Sequence, residues 1–258
     1  MVALFDTFVF SGVWAAGVAA ILVCAASQAL DGSPRWDVVA LAFTGALVVY
    51  PLDRLRDLER DRARVPLRSI FVERHRRRLQ GLVGLASLAS LALAWRLDAA
   101  IWILCGGVFV IGVFHRRLKR IGRGKAIYVS IAWTIVVVGL PALVQRPFPS
   151  ARLPWVAAVV FAAVFSNLVA SNLAVKGERF TSTENWPQPQ GRWMALTTAA
   201  VGTTLGLFGP APALSAVPCA LALALLRHRE GERYAQGVID GALLVGGLVA
   251  SGLLWMAG

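Results

Sequence analysis

The chain has 258 residues, of which 57% are apolar and 16% are charged. Soluble domains hold about 45–50% apolar and about 25% charged residues, so this composition excludes an ordinary soluble fold and indicates an integral membrane protein. The net charge of +12 would suggest nucleic acid in a soluble protein. In a membrane protein, basic residues flank the spans on the cytoplasmic side, and we expect membrane lipids and no nucleic acid as partners.

Apolar segments recur along the whole chain, each close to the ~20 residues that cross a bilayer as a helix. They predict one all-α integral-membrane domain over residues 1–258, a multi-pass bundle of about nine transmembrane helices around a central cavity. The segments are 8–30, 36–52, 79–95, 98–114, 126–145, 152–174, 192–209, 211–226 and 235–257. Stretches 84–90 and 241–251 are rich in Gly, Ala and Ser, which let membrane helices approach closely.

Basic residues are concentrated in alternate loops. Ten Lys and Arg lie in loop 53–78 and six in loop 115–125. The loop after the sixth segment carries two, followed by Arg192 at the start of the seventh segment, and the loop after the eighth carries three. Because cytoplasmic loops are enriched in Lys and Arg, these loops predict a cytoplasmic N-terminus and a multi-pass protein of a bacterial inner membrane.

Three aspartates follow the second segment at intervals of four residues: Asp53, Asp57 and Asp61. On a helix this spacing places all three carboxylates on one face. Such carboxylates bind Mg²⁺ together with phosphate oxygens and water. The same residues also fit a second interpretation, in which they form helix salt bridges with arginines three or four residues away.

Pro66, Arg68 and Ile70 follow the third aspartate. With them the segment resembles the UbiA superfamily of intramembrane prenyltransferases, whose pattern is N/D-x-x-x-D-x-x-x-D and, after four residues, P-x-R-x-I. The resemblance implies nine transmembrane helices, Mg²⁺ held by Asp53, Asp57 and Asp61, and a substrate diphosphate bound by Arg68.

A second segment of the chain is similar to that family. Phe114 through Arg120 resembles an aromatic-x-x-x-L-K-R sequence, which implies that Lys119 and Arg120 bind the diphosphate; Tyr128 and Trp133 also fit the family pattern. The alternative is a plain cytoplasmic basic cluster.

The second acidic motif of that family is incomplete in this chain. Asn167, Gly177, Glu178 and Arg179 fit the pattern, but Ser171 and Ala174 stand where aspartates are expected. The resemblance implies that Asn167 and Ser171 line the substrate cavity and that Glu178 is the remaining metal ligand. Lys176 and Arg179 are then candidates to bind diphosphate in place of a second metal ion.

The resemblance implies an enzyme that moves a polyprenyl group from its diphosphate to an aromatic or lipid acceptor, with Mg²⁺ as cofactor. Asp53, Asp57, Asp61 and Glu178 are its predicted catalytic residues. Because two aspartates are absent, an impaired relative that binds lipid or pigment, or an assembly factor, is an alternative, and a transporter is another.

Asp240 lies within the last apolar segment and is a functional candidate, since acids inside a membrane are costly; a pairing with a cytoplasmic-side arginine is the other interpretation.

Overall fold

A computed structural model describes residues 2–63, 65–118, 124–149, 151–174 and 188–257, and for residues 2, 3, 60, 113–118 and 188 the backbone alone. The described residues form helices joined by short loops, and they contain no β-strand. This confirms the all-α prediction. A helix satisfies every backbone polar group within one segment, which is why an apolar chain in lipid folds this way.

Thirteen α-helices are described, and each of the nine apolar segments coincides with helix. The first half of the chain contains α1 (Val2–Phe10), α2 (Val13–Ala29), α3 (Trp36–Arg56), α4 (Leu58–Asp61), α5 (Pro66–Arg74), α6 (Arg76–Ala94) and α7 (Ala99–Leu118). The second half contains α8 (Gly124–Thr134), α9 (Leu140–Val144), α10 (Leu153–Ala174), α11 (Gln188–Phe208), α12 (Ala216–Leu226) and α13 (Asp240–Ala257). A π-helical stretch over Ile135–Gly139 joins α8 to α9, and a second one over Tyr234–Ile239 precedes α13.

Four helical stretches are long and apolar enough to cross a membrane: Trp36–Arg56, Gly124–Val144, Leu153–Ala174 and Tyr234–Ala257. A fifth is counted if Leu4–Phe10 and Val13–Ala29, which meet at a bend of 62°, form one span. Helices α6 and α11 are not among them, since α6 begins with three arginines and α11 contains four threonines. The protein is therefore an apolar helical bundle with four or five candidate spans, and the count of nine stays a prediction.

The bend between α1 and α2 occurs at Gly12, whose φ of +91° lies in the left-handed region. Glycine adopts this conformation without the steric cost that a Cβ atom brings. The predicted first span, 8–30, is thus two helices rather than one.

The loops separate to two ends of the bundle. At one end, the Gly231 N–H donates to the Ala174 carbonyl at 2.7 Å. At the other end, Gln145 donates to the Ser27 carbonyl at 2.9 Å, and Arg152 pairs with Asp31 at 2.5 Å. The first end carries the C-terminus of α10 and the described loops after α3 and α12, which agrees with the alternation of basic loops in the sequence. Which end faces the cytoplasm stays a prediction.

Close helix packing occurs at Gly246 of α13. A Cβ atom there would lie 2.7 Å from the Val217 Cα atom, so the backbones touch at this position. Gly84, in the other stretch of small residues, has no described atom within 4 Å of such a Cβ position. Small residues therefore bring helices together in α13, as predicted, but not at Gly84.

Candidate functional site

Polar side chains from four parts of the chain meet at the end of the bundle where α3 and α10 end and α13 begins. We call them the polar cluster. It consists of Tyr50, Arg54, Asp61, Arg68, Asn167, Ser171, Glu232, Gln236 and Asp240. Four of these were predicted site residues: Asp61, Arg68, Asn167 and Ser171. Asp240 was predicted as a candidate, and the other four were not predicted.

Arg54 is a buried cation in the last turn of α3, with 7% of its surface exposed. Its Nη1 atom donates to the carbonyls of Val9 and Phe10 at the end of α1, and its Nη2 atom donates to Gln236 Oε1 at 3.3 Å. The guanidinium carbon also lies 5.9 Å from the centre of the Tyr50 ring. A charge buried without such partners would cost several kcal/mol. Arg54 is thus held by α1 and by the segment before α13.

Asp240 connects α13 to α10. Its Oδ1 atom accepts hydrogen bonds from Asn167 Nδ2 at 3.1 Å and from the Ser171 hydroxyl at 3.4 Å. Asn167 and Ser171 are one helical turn apart, so they share the face of α10 that meets α13. Arg54 and Arg68 both interact electrostatically with the Asp240 carboxylate. At the position where the family pattern has an aspartate, Ser171 therefore contacts a carboxylate that comes from a different helix.

The turn after the aspartates is held by two carboxylates. Asp61 forms an ion pair with Arg68 Nη2. The buried carboxylate of Glu232 accepts hydrogen bonds from the backbone N–H groups of Leu67 and Arg68, each at 3.0 Å. These groups lie in the first turn of α5, where N–H donors have no partner within the helix and a negative charge is stabilising. Pro66 begins α5, a position that needs no N–H donor.

The three aspartates do not lie on one continuous helix as predicted. The helix bends at Asp57, with φ −97° and ψ 8°, although the Asp57 N–H still donates to the Asp53 carbonyl and the Asp61 N–H to the Asp57 carbonyl, both at 2.9 Å. Asp53 is exposed, while Asp57 and Asp61 are half-buried. The bend directs Asp61 to Arg68 in the following turn.

Among the described residues, no three His, Cys, Asp or Glu side chains are grouped as metal ligands. Magnesium, however, needs only one or two carboxylates when substrate phosphates supply further oxygens. Asp53 and Asp57, one turn apart, remain the candidates for an ion of that kind, which would bind together with a diphosphate. The magnesium prediction is neither confirmed nor contradicted.

Five predicted site residues lie outside the described part of the chain: Lys119, Arg120, Lys176, Glu178 and Arg179. The convergence of Glu178 with the first aspartates therefore stays a prediction. Of the unpredicted residues, Arg54 could have been found as a cation one turn after Tyr50 at the end of an apolar segment. Glu232 and Gln236 carried no comparable signal, because their roles depend on tertiary contacts.

A small cavity of about 20 Å³ lies beside Asp240. It is large enough for about one water molecule. Its polar lining comes from Tyr50, Trp133, Asn167 and Asp240, and the rest of its lining is aliphatic. The rings of Tyr50 and Trp133 meet edge to face, with their centres 6.1 Å apart. This cavity is much smaller than a central cavity of the predicted kind, which stays a prediction.

The chain matches no protein-family model, no curated protein and no solved structure with which it was compared. The resemblance to intramembrane prenyltransferases therefore depends on the sequence motifs alone.

Proposed function

We propose that this protein is a UbiA-like prenyltransferase of a bacterial inner membrane, with nine spans and a cytoplasmic N-terminus. It would move a polyprenyl group from its diphosphate to an aromatic or lipid acceptor. The observation that supports this proposal is the meeting of two distant motifs. Arg54 and Arg68, from the first motif, lie within electrostatic reach of Asp240, which Asn167 and Ser171 of the second motif hold in place.

In this proposal the polar cluster binds the diphosphate at the membrane boundary. Arg68 would contact the diphosphate, together with Lys119, Arg120, Lys176 and Arg179. Mg²⁺ bound to Asp53, Asp57 and Asp61, with Glu178 at a partial second site, would neutralise negative charge on the leaving group. The polyprenyl chain would lie among apolar side chains of the spans.

The test is Mg²⁺-dependent release of diphosphate from geranylgeranyl or farnesyl diphosphate by the purified protein, with and without candidate acceptors. We expect release by the wild type and its loss in Asp57→Asn. Asp98→Asn is the matched control, because Asp98 is an exposed acid before α7, outside the polar cluster, and it should release diphosphate normally. No release from either substrate, with any acceptor and also in Ser171→Asp/Ala174→Asp, would contradict the proposal.

A second candidate is a relative without catalytic activity that binds lipid or pigment or assists assembly. The presence of Ser171 and Ala174 where the family pattern has aspartates favours it. Copurification of Asp57→Asn with the same lipid, pigment or partner complex as the wild type, in the absence of any diphosphate release, would support this candidate.

A further inference from the structure

Four arginines are concentrated where α5 ends and α6 begins. They are Arg74, the last residue of α5, and Arg76, Arg77 and Arg78, in the first turn of α6. All four side chains are exposed, and none forms an ion pair with an acid among the described residues. The neighbouring acid, Glu73, pairs with Arg62 at 2.8 Å. The junction of the two helices therefore presents four positive charges that no described acid compensates.

Helix α5 has an exposed apolar face that ends in one of these arginines. Leu67 and Ile70 are 41% and 63% exposed, and their spacing of three and then four residues to Arg74 places all three on one face. Ser69 and Val72 are buried on the opposite face. With nine residues, α5 is about 13 Å long, less than half the thickness of the hydrocarbon core. A short helix of this kind is typical of the membrane interface, where apolar side chains enter the lipid and arginines remain at the headgroups.

Helix α1 extends the apolar surface beside α5. The rings of Phe10 and Phe71, with their centres 5.9 Å apart, join the two helices. Leu4 and Phe8, one turn apart on α1, are both exposed. Two neighbouring helices that are each too short to cross a bilayer therefore expose apolar side chains at the same end of the bundle, which is the arrangement that a lipid boundary favours.

Charge and apolar area together select the ligand of this region. We call the six residues that carry both properties the α5–α6 surface: Leu67, Ile70, Arg74, Arg76, Arg77 and Arg78. A soluble phosphate would match the guanidinium groups but would leave the apolar side chains uncovered. A zwitterionic lipid would cover the apolar side chains but would leave the positive charge unbalanced. An anionic phospholipid satisfies both, because its phosphodiester accepts charge-assisted hydrogen bonds from arginine and its acyl chains cover apolar area.

We propose that the α5–α6 surface binds an anionic phospholipid, with the arginines at its phosphate and with Leu67 and Ile70 against its acyl chains. The lipid would hold α5 from its outer face, while Glu232 holds the first turn of the same helix from the polar cluster. This inference does not depend on the proposed enzyme, since lipid binding is measured without prenyl diphosphate or acceptor.

Competition between two lipids tests the proposal. Phosphatidylglycerol and phosphatidylcholine with identical acyl chains, at equal concentrations, compete for the purified full chain in a nonionic detergent, and native mass spectrometry separates the two complexes by mass. We expect the wild type to bind phosphatidylglycerol in about tenfold excess. Arg77→Gln/Arg78→Gln should lower this ratio by about fivefold or more, because each arginine near an anionic headgroup contributes roughly a factor of five.

The matched control removes the same charge from the same end of the bundle. Arg227 and Arg229 are exposed in the loop after α12, outside the α5–α6 surface. Arg227→Gln/Arg229→Gln should keep the wild-type ratio. An equal fall in the two double variants would show that the lipid responds to total charge and would overturn the proposal. Equal binding of both lipids by the wild type, the result expected if the surface binds an acidic protein instead, would also overturn it.

Two further measurements test the apolar and electrostatic contributions separately. Ile70→Ser leaves every charge in place and should weaken binding of both lipids by a few fold without changing their ratio; unchanged binding would overturn the contact with acyl chains. Glycerol phosphate, which has no acyl chain, should not displace an equal concentration of phosphatidylglycerol, and displacement would assign the surface to soluble phosphates instead.

Ionic strength provides a test on the unaltered chain, which holds even if the arginine variant does not fold. Raising the ionic strength from about 0.05 M to about 0.5 M should lower the wild-type ratio several-fold, because salt screens exposed charges. A ratio that does not change with salt would contradict binding through the arginines.

Discussion

A carboxylate oxygen of Glu232 accepts a hydrogen bond from the backbone N–H of Arg68 at 3.0 Å, which joins the loop before the last span to the first turn of α5. The other oxygen of Glu232 accepts from the Leu67 N–H. This carboxylate therefore fixes the helix that carries Arg68 to the polar cluster.

Replacement of Glu232 by alanine should lower the free energy of unfolding by about 1–2 kcal/mol, because two N–H groups lose their acceptor. The measurement is denaturant unfolding in detergent. Glu73→Ala is the control, because Glu73 lies on α5, the helix whose first turn Glu232 binds. It breaks only an exposed pair with Arg62 and should cost at most ~1 kcal/mol. Equal losses in the two variants would contradict the capping role of Glu232.

Two ion pairs that involve α5 differ in burial. The side chains of Arg68 and Asp61 are 21% and 19% exposed, and those of Arg62 and Glu73 are 50% and 57% exposed. Double-mutant cycles should give the inner pair a coupling energy above ~1 kcal/mol and the outer pair ~0.2–1 kcal/mol, since water screens the outer charges more. A larger coupling energy for the outer pair would show that Asp61 does not hold Arg68.

Ser171→Asp would place a second carboxylate against Asp240. Because like charges at a partly buried position repel, we expect a loss of about 1–3 kcal/mol of stability in magnesium-free buffer. Ser171→Asn keeps a hydrogen-bond donor and is the control. Adding Asp240→Asn to Ser171→Asp should recover most of the loss. No recovery in the double variant would show that the loss of stability does not come from repulsion by Asp240.

Gly246 and Gly252 lie on the same helix but differ in their surroundings. A Cβ atom at Gly246 would meet the backbone of Val217 at 2.7 Å, whereas none of the described atoms lies within 4 Å of such a position at Gly252. Gly246→Val should therefore cost about 1–3 kcal/mol more than Gly252→Val. Equal melting temperatures of the two variants would contradict the close contact between α13 and the segment at Val217.

We expect the stability of the protein to depend on pH through His228, which follows the end of α12. Burial, and then the nearby charge of Arg192, lowers the pKa of its imidazole from the usual 6.5. The unfolded chain therefore binds a proton more readily than the folded one, so the contribution of His228 is complete above pH 6.5 and is lost as the pH falls below it. His228→Gln should show a smaller loss of stability on acidification than the wild type. An unchanged slope would contradict the burial of this side chain.

The helices were predictable from the sequence because lipid requires apolar segments of fixed length with internally bonded backbones. The bends at Gly12 and Asp57 were not. Each bend directs a group toward a partner outside its own helix, the α1 carbonyls toward Arg54 and Asp61 toward Arg68. Periodicity contains no information about such partners.

The candidate site was predictable only in part, because a sequence pattern does not identify partners that come from other helices. Asp61, Arg68, Asn167 and Ser171 were found because their spacing matches a family pattern, and Asp240 because it is an acid inside an apolar segment. Glu232 lies in a polar loop where any acid would be unremarkable in sequence, and its function depends on α5 folding against it.

The left-handed turn at Gly12 has a consequence for the electrostatics of the bundle. Where α1 stops, the oxygen atoms of Val9 and Phe10 turn inward instead of following the helix axis, and they solvate the guanidinium of Arg54. The first segment of the chain therefore also supplies hydrogen-bond acceptors to a buried cation. Its broken end supplies two carbonyl oxygens in the place of a counter-anion beside the buried Arg54 guanidinium.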